Sequence, residues 1–157
     1  MELNTKGRYA VMAMADIAKH ARLDAIPLSV IADRQRISLA YLEQLFQRLR
    51  RAGLVESARG RSGGYRLGRP AADITVAQIM AAVEEEVRMT RCSGDDGAAC
   101  FGAERCLTHG LWDALGDEIG AFLARVTLED VVSGKLQPGS VRGHARSVLT
   151  DQERTAE

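Results

Sequence analysis

An apolar stripe running into a basic, glycine-rich hairpin narrows the choice of folds more than any other feature of this chain. Leu39, Leu42, Leu45, Phe46 and Leu49 fall at three- and four-residue spacings, which predicts a helix over 39–52 with those five on its inner face. Ser38 precedes it as a cap, and Gly53 stands just past its end. Two short runs follow, 54–57 and 65–67, separated by the tip Arg59-Gly60-Arg61-Ser62-Gly63-Gly64. Such runs about a Gly-rich tip predict an antiparallel hairpin. Upstream, Tyr9, Val11, Met12, Ala13, Ile17 and Ala18 predict a helix over 6–20 with Thr5 as its N-cap. Pro27 and Leu28 introduce a short helix over 29–35 that buries Val30 and Ile31, and Arg36-Ile37 forms the turn after it. Helix, short helix, polar-faced helix and hairpin, in that order, make a mainly α winged helix-turn-helix. The helix-turn-helix spans 28–52 and the two-stranded wing spans 54–67.

Beyond the wing, Thr75-Val76-Ala77-Gln78 reads as a capping box opening a helix to about 83. Glu84-Glu85-Glu86 then lies at the end of that helix, where the dipole disfavours negative charge; fraying is expected there. The longest helical pattern is 104–126, where Leu107, Leu111, Leu115, Ile119, Phe122, Leu123 and Val126 form one stripe. Gly116 and Gly120 would permit close helix approach. One hairpin and three short helices cannot cover such a stripe, whereas a second copy of the same helix can. It is therefore read as a C-terminal dimerisation helix, with an intramolecular core helix as the alternative. Thr127 caps a last short helix to 133, stopped by Gly134. Residues 1–134 make one regulator domain, and 135–157 read as a flexible polar tail.

The net charge of zero conceals a division. Residues 1–70 carry 13 Lys/Arg against 6 Asp/Glu, and residues 71–134 carry 4 against 12. A basic half suits a polyanion. With 4% aromatic residues, the core should be built mainly from aliphatic side chains. No apolar run approaches the roughly 18–20 residues that span a bilayer, and the first residues lack the apolar core of a secretory signal. A cytoplasmic protein with no membrane partner is expected.

The outer face of the 39–52 helix has what a major-groove reader needs. Ser38 and Tyr41 stand at the helix N-terminus, which meets base edges and phosphates in helix-turn-helix proteins. Gln44 can pair with adenine and Glu43 can accept from cytosine N4. Glu43 also repels phosphate, so it penalises any site that offers it no donor. Lys6, Arg8, Arg48, Arg50 and Arg51 could take phosphates, which set register without reading sequence. Arg59 and Arg61 at the wing tip are spaced to enter or straddle a minor groove. The bland alternative is a solvated helix face beside an ordinary hairpin. Gly60-x-x-Gly63-Gly64 is not a P-loop, because it lacks the Gly-Lys-Ser/Thr ending and the strand-to-helix context.

All three cysteines fall within 92–109, spaced Cys92-x7-Cys100-x5-Cys106-x2-His109. An odd, clustered set argues against a disulfide framework. Thiolates and imidazole together suit iron–sulfur clusters, Zn and Cu(I). A structural Zn site is chemically acceptable, although the usual paired Cys-x2-4-Cys knuckle is missing. A nucleophilic Cys106–His109 pair is also conceivable, but nothing in the sequence suggests a substrate pocket for an enzyme.

Four segments together resemble the IscR family of iron–sulfur cluster regulators. They are Asn4-Thr5-Lys6-Gly7-Arg8-Tyr9-Ala10-Val11, the run from Ile37 to Phe46, Arg59-Gly60-x-x-Gly63-Gly64-Tyr65, and Cys106-Leu107-Thr108-His109-x-Leu111-Trp112. The similarity covers 1 to about 134 and leaves the tail outside. It implies a homodimeric DNA-binding repressor of cluster-assembly genes on pseudo-palindromic double-stranded operators, supplied by the cluster-assembly machinery. It also implies a 2Fe–2S cluster on Cys92, Cys100, Cys106 and His109, with Lys6, Arg8, Tyr9, Ser38, Tyr41, Glu43, Gln44, Arg48, Arg59 and Arg61 toward DNA. Relatives of the NsrR and RirA kinds carry 4Fe–4S clusters. The seven-residue gap after Cys92 looks more like the RirA kind, while Arg8 argues against the acidic ligand that the NsrR kind can use near the start of the chain.

Overall fold

The computed structural model describes residues 5–20, 24–60, 63–85 and 106–136. The N-terminal helix α1 spans Thr5–His20, α2 spans Leu28–Gln35 and α3 spans Leu39–Arg51. The wing follows as β1, Val55–Ala58, and β2, Gly64–Leu67. A single 3-10 turn at Ala71–Asp73 leads to α4, Val76–Ala82. After the undescribed stretch come α5, His109–Arg125, and α6, Leu128–Val132. Among the described residues no helix is long and apolar enough to cross a membrane.

The helix periodicity buries what it should. Met14 and Ile17 of α1, Ile31 of α2, and Leu42, Phe46 and Leu49 of α3 are all fully enclosed, joined by Leu54, Ile74, Ile79 and Leu128. Each such side chain contributes about 1.5–3 kcal/mol of hydrophobic stabilisation. Gly53 takes φ +71 past the end of α3, as its position requires. The αL turn after α2 is made by Arg36 at φ 55, and it swings the chain from one helix of the helix-turn-helix to the next.

The wing pairs antiparallel with Val55 opposite Leu67 and Ala58 opposite Gly64. A further bridge joins Ile26 to Tyr65 through two backbone hydrogen bonds of 2.9 and 2.8 Å. Gly64 makes this possible, because a Cβ there would lie 2.3 Å from the Ile26 carbonyl carbon. Tyr65 in turn meets Phe46 edge-on at 4.9 Å. The wing is thereby locked to both the segment before α2 and the core face of α3.

Two capping boxes sit side by side at the far end. Thr75 accepts from the Gln78 backbone and Thr127 from the Asp130 backbone, each with the reciprocal side-chain bond. Thr75 and Thr127 also form a bridge, with Val76 N–H donating to Val126 and Leu128 N–H to Ile74. This bridge ties the start of α4 to the turn between α5 and α6.

Several details depart from expectation. Thr5 is the first residue of α1, not its cap. Ser38 occupies the N-cap position of α3 but makes no side-chain capping bond. Leu39 and Val30 are 41% and 39% exposed. Leu39 opens α3 a turn ahead of the core, and the buried side of α2 is formed by Ile31 and Ala32 instead. The long helix begins at His109, after a turn at Leu107 and Thr108, not at 104. An added Cβ at Gly120 would meet nothing within 4 Å among the described residues, so packing against those residues does not require that glycine. Residues 86–105, 61–62 and 137–157, with Cys92, Cys100, Arg61 and most of the tail, lie outside the described residues.

Candidate nucleic-acid interface and metal-ligand pair

The exposed side of α3 carries Glu43, Gln44, Gln47, Arg50 and Arg51, with Ser38 exposed at its start. Burial of Leu42, Leu45, Phe46 and Leu49 dictates this, since those four claim the opposite face. Tyr41 is half-buried and meets Tyr9 edge-to-face, with ring centroids 5.9 Å apart and planes at 86°. That contact brings the N-terminal turn of α1, with Lys6 and the exposed Arg8, alongside the N-terminus of α3. Six of the expected residues, Lys6, Arg8, Tyr9, Ser38, Tyr41 and Gln44, therefore belong to two helix starts joined by one aromatic pair. Arg59 is exposed on the wing, and Glu56 and Arg66 pair across the two strands at 2.8 Å.

Arg48 stands apart from that set. Its Nη1 donates to Glu84 Oε2 at 2.5 Å and to the Val83 carbonyl at 3.5 Å. Nothing in the local sequence announces this partner, 36 positions away.

Of the four expected metal ligands, Cys106 and His109 are described. The backbone N–H of His109 donates to the Cys106 carbonyl at 3.0 Å, so one turn of backbone links the two residues. Cys106 is partly exposed, with Sγ 3.6 Å from Thr108 Oγ1. His109 is the one buried residue of α5. Its Nε2 lies 2.9 Å from Asp113 Oδ2. A ring nitrogen engaged by a carboxylate is the usual companion of a metal-bound histidine, because it fixes tautomer and ring orientation. The donor chemistry of this pair, one thiol and one backed imidazole, thus fits a soft or borderline metal centre. Asp113 was not anticipated, although its four-residue spacing from His109 on a helix was available as a signal.

The profile of the Rrf2 family, iron-dependent transcriptional regulators, matches residues 3–134. The chain belongs to the Rrf2 family. Among its Rrf2-family relatives, the HTH-type transcriptional regulator IscR of Photorhabdus laumondii subsp. laumondii is 53% identical over 135 residues, 86% of this chain and 81% of the relative. The IscR of Pectobacterium atrosepticum is 49% identical over 156 residues, 99% of this chain and 92% of the relative. Among solved structures, CymR, the global cysteine regulator of B. subtilis, superposes with a TM-score of 0.71 at 34% identity, covering 85% of this chain and 98% of that one. The T. potens IscR superposes at 0.70 with 34% identity, covering 87% and 89%. The winged-helix fold and the resemblance to IscR are thereby borne out. This Rrf2-family chain is a DNA-binding transcriptional regulator of the IscR type, not an enzyme.

Proposed function

We propose that this regulator is a cytoplasmic homodimer that represses cluster-assembly genes and senses iron–sulfur status through a 2Fe–2S cluster on Cys92, Cys100, Cys106 and His109. The observation that carries the proposal is the Cys106–His109 turn with its Asp113 backing, in a chain about half identical to regulators named IscR. When bound, the cluster supplies a centre whose presence reports iron–sulfur supply, delivered by the assembly machinery. Cys106 and His109 offer it a thiolate and a neutral imidazole. The imidazole is the protonatable, uncharged ligand of the four and hence the corner most readily released.

DNA reading is assigned to Lys6, Arg8, Tyr9, Ser38, Tyr41, Glu43 and Gln44, with Arg59 and Arg61 of the wing in a minor groove. Glu43 accepts from a cytosine donor where one faces it and is costly elsewhere, which selects between operator classes. Pairing of two copies through α5 is supported by an apolar helix in which Leu111, Trp112 and Leu115 are 60%, 38% and 38% exposed. Two heads so joined would read a pseudo-palindrome with half-sites about one helical turn, or a multiple of it, apart.

Anaerobic isolation with absorption and Mössbauer spectroscopy tests the cluster. A 2Fe–2S spectrum, lost in His109→Ala, is expected; stoichiometric Zn without visible absorbance would sink the assignment and leave a Zn-stabilised DNA-binding module. The seven-residue gap after Cys92 favours a second reading within the family, a 4Fe–4S iron or nitric-oxide sensor. The same Mössbauer spectra separate the two cluster types.

A further inference from the structure

The corner at Val83–Glu85 touches both helices that form the DNA-facing surface. Arg48 of α3 reaches Glu84 at 2.5 Å and the Val83 carbonyl at 3.5 Å. On the other side, Gly7 of α1 lies so close that a Cβ there would stand 2.9 Å from Glu85 Cγ and 3.4 Å from Met80 Cε. Gly7 is thus the gap that lets the corner press on the first turn of α1, one residue from Lys6 and from Arg8.

Glu84 itself takes φ 57. Glycine adopts that backbone without steric cost, whereas a residue with a Cβ does not. The backbone gives no reason for a glutamate at this position; the reason lies in the side chain. Its carboxylate faces a guanidinium that also donates to a carbonyl at the C-terminus of α4, where the helix dipole favours a cation. Arg48 is turned toward α4 by these two bonds, off the outward face that Glu43, Gln44 and Gln47 present.

We propose that Glu84 is a positioning residue for DNA reading: it holds Arg48 as a bracket that sets α3 against the end of α4. Arg48 then orients the recognition helix and does not take a phosphate. Both groups of the pair are well exposed, 37% and 75%, so its loss changes overall stability little. The place to read it is DNA affinity. This rests on the DNA-reading part of the proposed function and not on the cluster.

The experiment uses the full chain and a duplex selected by that chain from a random-sequence pool, with binding followed by fluorescence anisotropy over a salt series. Glu84→Gly suits the left-handed backbone and removes the side chain with its carboxylate. Glu84→Gly and Arg48→Ala should each weaken binding roughly 3- to 10-fold, the size of effect seen for residues that modulate a site without touching its ligand. The double variant should be no weaker than the poorer single, because both changes break one pair. The slope of log affinity against log salt should stay at the parent value in all three. Glu84→Gly binding as well as the parent or better, additive losses, or a slope reduced by about one in Arg48→Ala (the mark of a phosphate contact) would each overturn the bracket. A parent chain that selects no duplex would overturn the DNA-reading assignment along with it.

Discussion

Nε2 of His109 stands 2.9 Å from Oδ2 of Asp113, one helical turn further along α5. The imidazole is buried and the carboxylate half-exposed, with side-chain exposures of 10% and 40%. The carboxylate at Nε2 fixes the orientation of the ring, as outer-shell carboxylates do for ligating histidines. Asp113→Ala should lower retention of the proposed cluster roughly 10-fold, in the range found for outer-shell partners of ligating histidines. Anaerobic chelator challenge of parent and variant measures this, and 15N spectra of the His109 ring in the metal-free chain report the tautomer directly. Equal retention with an unchanged tautomer would remove Asp113 from the site.

Asp16 on α1 is enclosed, with 0% side-chain exposure. Arg34 of α2 grips both its oxygens, and Gln35 donates at 2.7 Å. Burial alone would raise its pKa. The hydrogen bonds from Arg34 and Gln35 and the charges of Arg34 and His20 outweigh that and hold the carboxyl below its ordinary value. A depressed folded-state pKa stabilises above the unfolded value of about 4 and is lost as pH falls through the folded value. Stability against urea should therefore fall below about pH 4, and Asp16→Asn should flatten that dependence. Asp16→Ala should cost about 3 kcal/mol, at the low end for breaking a buried pair, because Arg34 remains 34% exposed.

Gly64 admits no side chain. Its Cβ would fall 2.3 Å from the Ile26 carbonyl carbon and 2.6 Å from Pro27 N, both backbone atoms that cannot rotate away. Gly64→Ala should break the Ile26–Tyr65 bridge and destabilise the fold by about 1–3 kcal/mol. Thermal unfolding measures the loss. Gly53→Ala makes a useful contrast: its cost should come from φ +71 alone, since an added Cβ there meets nothing within 4 Å.

The exposed stripe of α5, with Leu111 and Leu115 on it, is the proposed contact between two copies. Leu111→Asp with Leu115→Asp places two charges where an apolar partner face is proposed. Sedimentation should then show a monomer, with affinity for the two-half-site duplex down at least tenfold while the circular dichroism of the head is retained. A dimer that survives both changes would place the contact elsewhere.

Much of this molecule was legible from the order of its residues. The core stripe of α3, the αL position of Gly53, the capping box at Thr75, the cap at Thr127 and the two-stranded wing all follow from interactions within about four residues, or from a hairpin whose strands are neighbours in the chain. Tertiary structure alone decided the rest. Asp16 meets Arg34 across 18 positions, Arg48 meets Glu84 across 36 and Gly64 passes against Ile26. Leu39 stays exposed at the first position of α3, and Val30 stays exposed because Ile31 and Ala32 form the buried side of α2. Periodicity states which face of an element is apolar; which neighbour covers that face depends on how the elements stack. The meeting of Glu84, at φ 57, with Arg48 depends on that stacking.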